Sequence, residues 1–502
     1  MIIIDLFNIL KNNLKYIIYV MIYKLLLLFS LLLNNSNCFI QIFKYNNINN
    51  LKMSNYDNFN WNKNWYPIAV EKFTNKKKPF KFTLLNKDLV VWWDFKKKEW
   101  NTVYNICPHR LVPLSEGRIN DNGNIECPYH GWSFNKNGEC ENIPQIANYK
   151  KQKKYCTNSF KTITKQGLIW VWPDNNKTHA NEKSIPIFKE LNNKNTIYFD
   201  TFTDLPYDYT LLLENVLDIS HIPFTHHKSQ GFRENSAPLK FNKPKYLNSK
   251  GFKIYHNLTF PSNTKNNKIN KSYTKFIAPC LQYTKVENKN MKIIIPSYAI
   301  PIKPGYCRVI SRLPIITFKN FKYKLFGFLL KLQPTFIHHM FINSVIEEDT
   351  ILLYNQQNQI NKFNNSKILD NYLLASESDI PVILWHKWLN NVNKLWKLND
   401  TDRVYYNKKD LINRELLHYQ YCTVCQNANK NLQNIKTFTL YFKPIIFLLI
   451  WPLLNFYYPL NHLKNKIICM SAIISSTILW YICNTIQNKF KVGKYPHKRN
   501  LV

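Results

Sequence analysis

The chain has 502 residues, 45% hydrophobic and 15% aromatic, which excludes a disordered or collagen-like polypeptide. Lys and Arg number 68 against 31 Asp and Glu, a formal net charge of +37 that suits nucleic acid or an anionic membrane. Drift is the competing reading, because Asn, Lys and Ile are enriched together throughout, no nucleic-acid recognition motif accompanies the charge, and eleven cysteines are too sparse for a disulfide scaffold.

Residues 1–55 read as a targeting leader. Lys11, Lys15 and Lys24 precede the apolar run Leu25–Leu33, and small or polar residues follow down to Cys38. No Asp or Glu occurs from Leu6 to Tyr56. A signal sequence ahead of an acid-poor, basic extension resembles the two-part leaders of plastids acquired by secondary endosymbiosis, with Phe39 where an aromatic follows the cleavage point. A plain N-terminal membrane anchor is the alternative.

The next informative stretch pairs Cys107-Pro108-His109 with Cys127-Pro128-Tyr129-His130, a C-x-H-x17-C-x2-H pattern. Two Cys and two His suit either tetrahedral zinc or an iron–sulfur centre. Zinc sites favour a Cys pair followed by a His pair. Here each half supplies one of each, the arrangement of a two-iron cluster with both thiolates on one iron and both imidazoles on the other. This is the Rieske pattern. Gly117, Gly123, Gly131 and Gly138, four of the ten glycines, fall in this region. Asp121–Asn124 and Asn135–Gly138 read as hairpin turns, and Gly167–Pro173 as a closing strand, so an all-β domain is expected over 56–180. Rieske proteins of the cytochrome complexes carry an extra Cys in each loop. Leu111-Val112 and Tyr129 stand in those places here, so the resemblance is to Rieske oxygenases.

Further on, Glu214, Asp218, His221 and His226 make an E-x3-D-x2-H-x4-H pattern that resembles the iron motif of the same oxygenases. A non-haem Fe(II) site needs two His and one carboxylate on one face of the metal. His221 and His226 would lie about 140° apart on a regular helix, so the helix must break, and Pro223 is expected to break it. His227 is the rival ligand. The resemblance implies a third ligand far downstream on a helix. Within Ile346–Leu352 it points to Asp349 in preference to Glu348, although three acids in a row also suit a solvated helix face. It further implies that Asp218 joins a cluster His of one subunit to an iron-ligand His of its neighbour in a ring, commonly a trimer.

Near the C-terminus Cys422 and Cys425 form a lone C-x2-C, open to three readings: a redox-switch disulfide served by thioredoxin, inert thiols or an adventitious metal site. No Asp, Glu, Lys or Arg lies between Lys443 and Lys464, nor between Lys466 and Lys489. A transmembrane helical hairpin is therefore expected over 431–490, with Pro444, Pro452 and Pro459 making its first helix irregular. A buried core pair is the alternative. The basic tail, 491–502, suits the positive side of a membrane or anionic lipid.

Cys107–Ile119, Tyr129–Phe134 with Ile143-Pro144-Gln145, and Asp218–Lys228 together resemble the plastid Rieske oxygenases, pheophorbide a oxygenases above all. That resemblance implies an α+β protein: the Rieske domain, then a helix-grip catalytic domain over 181–430, then the membrane hairpin. It implies a [2Fe-2S] cluster, a mononuclear Fe(II), reduced ferredoxin, O2 and a chlorophyll-derived tetrapyrrole in a plastid membrane. A Rieske electron carrier or redox sensor without turnover is the alternative. The resemblance is weak over about 235–340, where substrate would be read.

Overall fold

The computed structural model describes residues 59–193, 196–256, 270–287, 291–312, 315–318, 330–363, 368–392, 394–396, 406–457 and 462–493. The expected leader, the tail beyond Gly493 and the turn between the last two long helices lie outside them.

The N-terminal unit is built from antiparallel strands. Six pair in the order Tyr66–Val70, Leu168–Trp172, Ser159–Lys165, Glu99–Tyr104, Lys87–Asp94 and Phe80–Leu84, so the expected closing strand returns beside the first. The two-residue period of a strand gives this sheet two buried faces. Leu89, Val91 and Trp100 enter the main core of the molecule, whereas Val90, Trp92 and Val103 face a separate core shared with Cys107, Cys127 and Phe134. A small four-stranded sheet, Arg118–Ile119, Ile125–Glu126, Ser133–Phe134 and Cys140–Asn142, rests on that second face. Its hairpins turn where the Asn/Gly sequences predict, and Gly123 and Gly138 take φ of +79° and +76° there.

The following unit is a nine-stranded antiparallel sheet organised around the 13-residue strand Met291–Lys303. Among the described residues four helices serve it: α1 (Tyr209–Leu217), α2 (Ile222–Thr225), α3 (Thr335–Ile360) and α4 (Ile380–Val392). Helix α1 begins where the Asp208 carboxylate accepts from the Thr210 amide at 3.0 Å, and it packs across the central strands. Helix α3 lies along strand Asp200–Leu205. The whole is α+β.

Buried guanidiniums join the two units, Arg312 through the Gln166 carbonyl and Arg308 more extensively. Arg308 bonds both carboxylate oxygens of Asp204 at 2.5 and 2.9 Å and donates to the Ile68 carbonyl of the first unit at 2.9 Å. The Phe82 and Phe202 rings lie within 4.7 and 5.0 Å of it.

A short helix α5 (Arg414–Leu417) precedes α6 (Thr423–Ile445), a π turn (Ile446–Ile450), α7 (Trp451–Tyr457) and α8 (His462–Lys491). The π turn sits between Pro444 and Pro452, each of which removes a backbone donor from the helical ladder. The stretch from Thr423 to Tyr457 and α8 are each long and apolar enough to cross a membrane, and most of their side chains face outward. A boundary at 430/431 falls inside α6, which starts eight residues earlier because Asn and Gln at 426–433 continue a helix even though they interrupt the apolar run.

Candidate metal centres

The two loops of the first centre are built alike. Cys107 N–H donates to Val112 O at 2.9 Å and Leu111 N–H returns to Cys107 O at 2.9 Å. In the second loop Cys127 N–H donates to Trp132 O at 2.8 Å and Gly131 N–H to Cys127 O at 3.2 Å. The fourth residue after each Cys must take a left-handed conformation to close the turn: Leu111 has φ +60° and Gly131 φ +73°. Both thiols are buried, and the His109 and His130 rings meet at 4.5 Å between centroids. Trp132 stacks on His109 at 4.8 Å. Burial, with Cys127 close by, pushes the Cys107 thiol up to about 12. His109 Nδ1 is buried and has no hydrogen-bond partner. An orphaned ring nitrogen beside two thiols fits a [2Fe-2S] cluster held by Cys107, Cys127, His109 and His130. The rim is open to solvent, with Leu111 72% and Tyr129 58% exposed.

The second centre gathers residues from three helices. Asp218 ends α1 with an extended backbone, φ −81° and ψ 99°. His221 then caps the single turn of α2 at its start and His226 at its end. Pro223 therefore does not break the helix: it sits in the first turn of α2, where its missing N–H has no partner to lose, and the break comes earlier at Asp218. The His221 and His226 rings lie 5.3 Å apart. Asp349 arrives from α3, with His226 Nε2 3.2 Å and His221 Nε2 3.8 Å from its carboxylate oxygens. One ligand atom from each residue lies within 4.8 Å of the others.

The outer nitrogens are occupied. His226 Nδ1 donates to Glu348 Oε2 at 2.7 Å, and His221 Nδ1 donates to the Asp218 carbonyl. Both Nε2 lone pairs consequently face Asp349, which is the donor set of a two-His, one-carboxylate iron site. Burial works against a charged His226, but Asp349 and Glu348 outweigh it and push its pKa up to about 9. His227 turns away and accepts from the Arg233 amide at 3.1 Å.

The three consecutive acids of α3 do not form a solvated face. Successive helical residues point about 100° apart, and each finds its own partner. Glu347 pairs with Arg414 at 2.5 and 2.8 Å, Glu348 holds His226 and Ser229, and Asp349 faces the histidines. Glu348 is thus a positioning group the sequence did not separate from a rival ligand. Glu214 is structural: its carboxylate receives His386 at 2.7 Å and Gln356 at 3.0 Å, tying α1 to α4 and α3. The Asp218 carboxylate accepts from Ser220 N at 2.8 Å and Oγ at 2.5 Å.

A cavity of about 140 Å³, open to solvent on one side, lies over this centre. Helix-borne Leu212, Ile342 and Val345 make its wall mostly apolar. The facing sheet contributes a polar row. Gln282, Ser297 and Ser311 stand opposite one another on three neighbouring strands, and Ser297 and Ser311 hydroxyls meet at 3.2 Å. Alternation along each strand is the signal that could have shown this row, but polar residues inside a sheet carry no mark of function by themselves.

Cys422 and Cys425 are also brought together, both buried, beside His339 and His418. Sequence reading missed both histidines; the H-x3-C-x2-C spacing is the signal that could have found His418, and His339 carries none.

Comparison with known proteins agrees with this geometry. Residues 64–161 match the Rieske [2Fe-2S] domain, and residues 276–367 match the pheophorbide a oxygenase domain. The crystal structure of dicamba monooxygenase bound to 3,6-dichlorosalicylic acid superposes with a TM-score of 0.52 over 66% of this chain and 97% of that one, at 16% identity, which establishes a shared fold. The protein is a Rieske-type oxygenase, with the [2Fe-2S] cluster and mononuclear non-haem iron that this class uses.

The chloroplastic pheophorbide a oxygenase of Oryza sativa is 32% identical over 420 residues, covering 76% of this chain and 75% of its own. The chain belongs to the pheophorbide a oxygenase family. Flavonoid 8-hydroxylase 2 of Ocimum basilicum is 28% identical over 420 residues, 76% of each chain.

Proposed function

We propose that this protein oxygenates a chlorophyll-derived tetrapyrrole, pheophorbide a first among them, using O2 and electrons delivered singly by reduced ferredoxin. The observation that carries the reading is the convergence of His221, His226 and Asp349 beneath a mostly apolar cavity in a chain that also holds the Rieske loops. Apolar helix residues suit the faces of a flat macrocycle, and Gln282, Ser297 and Ser311 suit the carbonyls at its edge. When bound, the two iron centres supply electron storage and O2 activation. The protein's part is to orient: Glu348 and the Asp218 carbonyl fix the histidine tautomers, and the mostly apolar cavity wall receives the substrate beside them.

In this reading the exposed rim at Leu111 and Tyr129 is where electron partners dock. Asp218 links the His109–His130 pair of one subunit to the iron of the next in a trimer. The two apolar helices hold the enzyme in a plastid membrane, where chlorophyll derivatives partition. Ring opening of pheophorbide a is the expected outcome.

The test is anaerobic purification of the full chain, followed by reduced ferredoxin, 18O2 and separate substrates: pheophorbide a, chlorophyllide a, protochlorophyllide and a flavone. Pheophorbide a should give a ring-opened product carrying 18O. A labelled flavone instead would move the substrate to the class named by the basil relative. No labelled product from any of them, with both iron centres loaded, would favour the electron-carrier reading.

A further inference from the structure

A second cluster of metal-ligating side chains lies away from both iron centres. His339 of α3, His418 after α5, and Cys422 and Cys425 at the start of α6 direct one ligand atom each toward a common point, all within 4.8 Å of one another. The residues are 0 to 2% exposed. His339 Nδ1 is 3.2 Å from His418 Nε2, 3.3 Å from Cys425 Sγ and 3.5 Å from Cys422 Sγ, and His418 Nε2 is 3.4 Å from Cys425 Sγ. A tetrahedron with metal–sulfur bonds of about 2.3 Å and metal–nitrogen bonds of about 2.05 Å has nitrogen–nitrogen edges of about 3.4 Å and nitrogen–sulfur edges of about 3.6 Å. The side chains already stand near those corners.

The outer ring nitrogens decide what the inner ones are. His339 Nε2 donates to the Asp200 carbonyl at 3.1 Å, and His418 Nδ1 donates to the Phe202 carbonyl at 2.6 Å. A carbonyl can only accept, so each neutral ring places its proton outward and its lone pair inward. Two lone pairs then face each other at 3.2 Å with no proton between them. A cation relieves that conflict. Backbone carbonyls two residues apart on one strand are the kind of partner that fixes the tautomer of a metal-bound histidine. Two thiolates, two neutral imidazoles and one divalent ion also sum to zero charge, which a fully buried site requires.

We infer that His339, His418, Cys422 and Cys425 form a structural Cys2His2 site for Zn2+. The site ties three parts of the molecule: α3, which carries Glu348 and Asp349; strand Asp200–Leu205; and the root of the membrane-type helix α6. It touches the first unit as well, through Phe73 at 4.6 Å from the His339 ring and Thr423 Oγ1 donating to Phe73 O at 2.9 Å.

The experiment uses the full chain, expressed with zinc and iron both supplied and purified in detergent. Elemental analysis should find one zinc per chain in addition to iron, and zinc-edge X-ray absorption should report two sulfurs at about 2.3 Å and two nitrogens at about 2.0 Å. His418→Gln and Cys425→Ser should each lose the zinc while the visible circular dichroism of the Rieske cluster persists. Zinc at background level, zinc without sulfur neighbours, or a Cys422–Cys425 disulfide that thioredoxin reduces would overturn the assignment. The absorption measurement on the unaltered protein decides the matter even where the variants fail to fold.

Discussion

The two iron centres solve one problem, holding a metal with histidines, from opposite ends. The Rieske loops lie within 24 residues of one another, each closed by its own pair of backbone hydrogen bonds, on a rim open to solvent. The mononuclear centre joins His221 and His226 to Asp349, 123 positions beyond His226, and Asn215 of α1 donates to Asp349 Oδ1 at 3.4 Å. Its geometry depends on how α1, α2 and α3 pack. The first is a local device that a short sequence can encode; the second exists only when the domain is folded.

Substitutions should expose that difference. Asp349→Ala should abolish product formation and remove the mononuclear iron, leaving the two irons of the cluster and its visible spectrum; iron analysis with electron paramagnetic resonance checks this. Arg414→Leu strands the Glu347 carboxylate in the interior and should destabilise the catalytic unit by about 3–5 kcal/mol. Denaturant unfolding in detergent measures it, and the Rieske signal should persist to higher denaturant than substrate turnover does. Glu348→Gln keeps the shape but not the charge beside His226, and should weaken mononuclear iron binding about 10–100-fold in a competition assay with chelator, with the cluster untouched.

The smallest effects are expected in the local device. Gly131→Ala forces a side chain into φ +73° with Pro144 Cγ 3.0 Å from the new Cβ, and should cost about 1–2 kcal/mol. Leu111→Gly, at φ +60° in the equivalent turn, should change stability by less, about 0.5 kcal/mol in either direction, because relief of strain is offset by backbone entropy. Thermal melts followed at the cluster's visible bands would separate the two.

The same contrast explains what the sequence could reveal. Cys107, His109, Cys127 and His130 announce themselves because ligand spacing and turn residues lie in one stretch. The all-β first unit was legible from its turn residues and the paired C-terminal helices from their uncharged runs, whereas the α+β catalytic unit came from the resemblance. Choosing Asp349 over Glu348 needed a resemblance, since nothing in Glu347-Glu348-Asp349 says which acid faces which partner. The break before α2 was misplaced at Pro223 because proline inside a helix and proline at its first turn look alike in sequence. His339 joins Cys422 across 83 residues, a pairing only the fold can make.

Arg308 carries a last consequence. A cluster-bearing head that swung between an electron source and the iron would have to pull this guanidinium from Asp204 and the Ile68 carbonyl and leave it bare among Phe82 and Phe202. Neighbouring amides add to the seam: Leu85 and Asn86 donate to the carbonyls of Pro301 and Ile302 at 3.1 and 2.8 Å. The joint behaves as a weld, not a hinge. Electrons must therefore travel between stations that each chain holds at a fixed spacing.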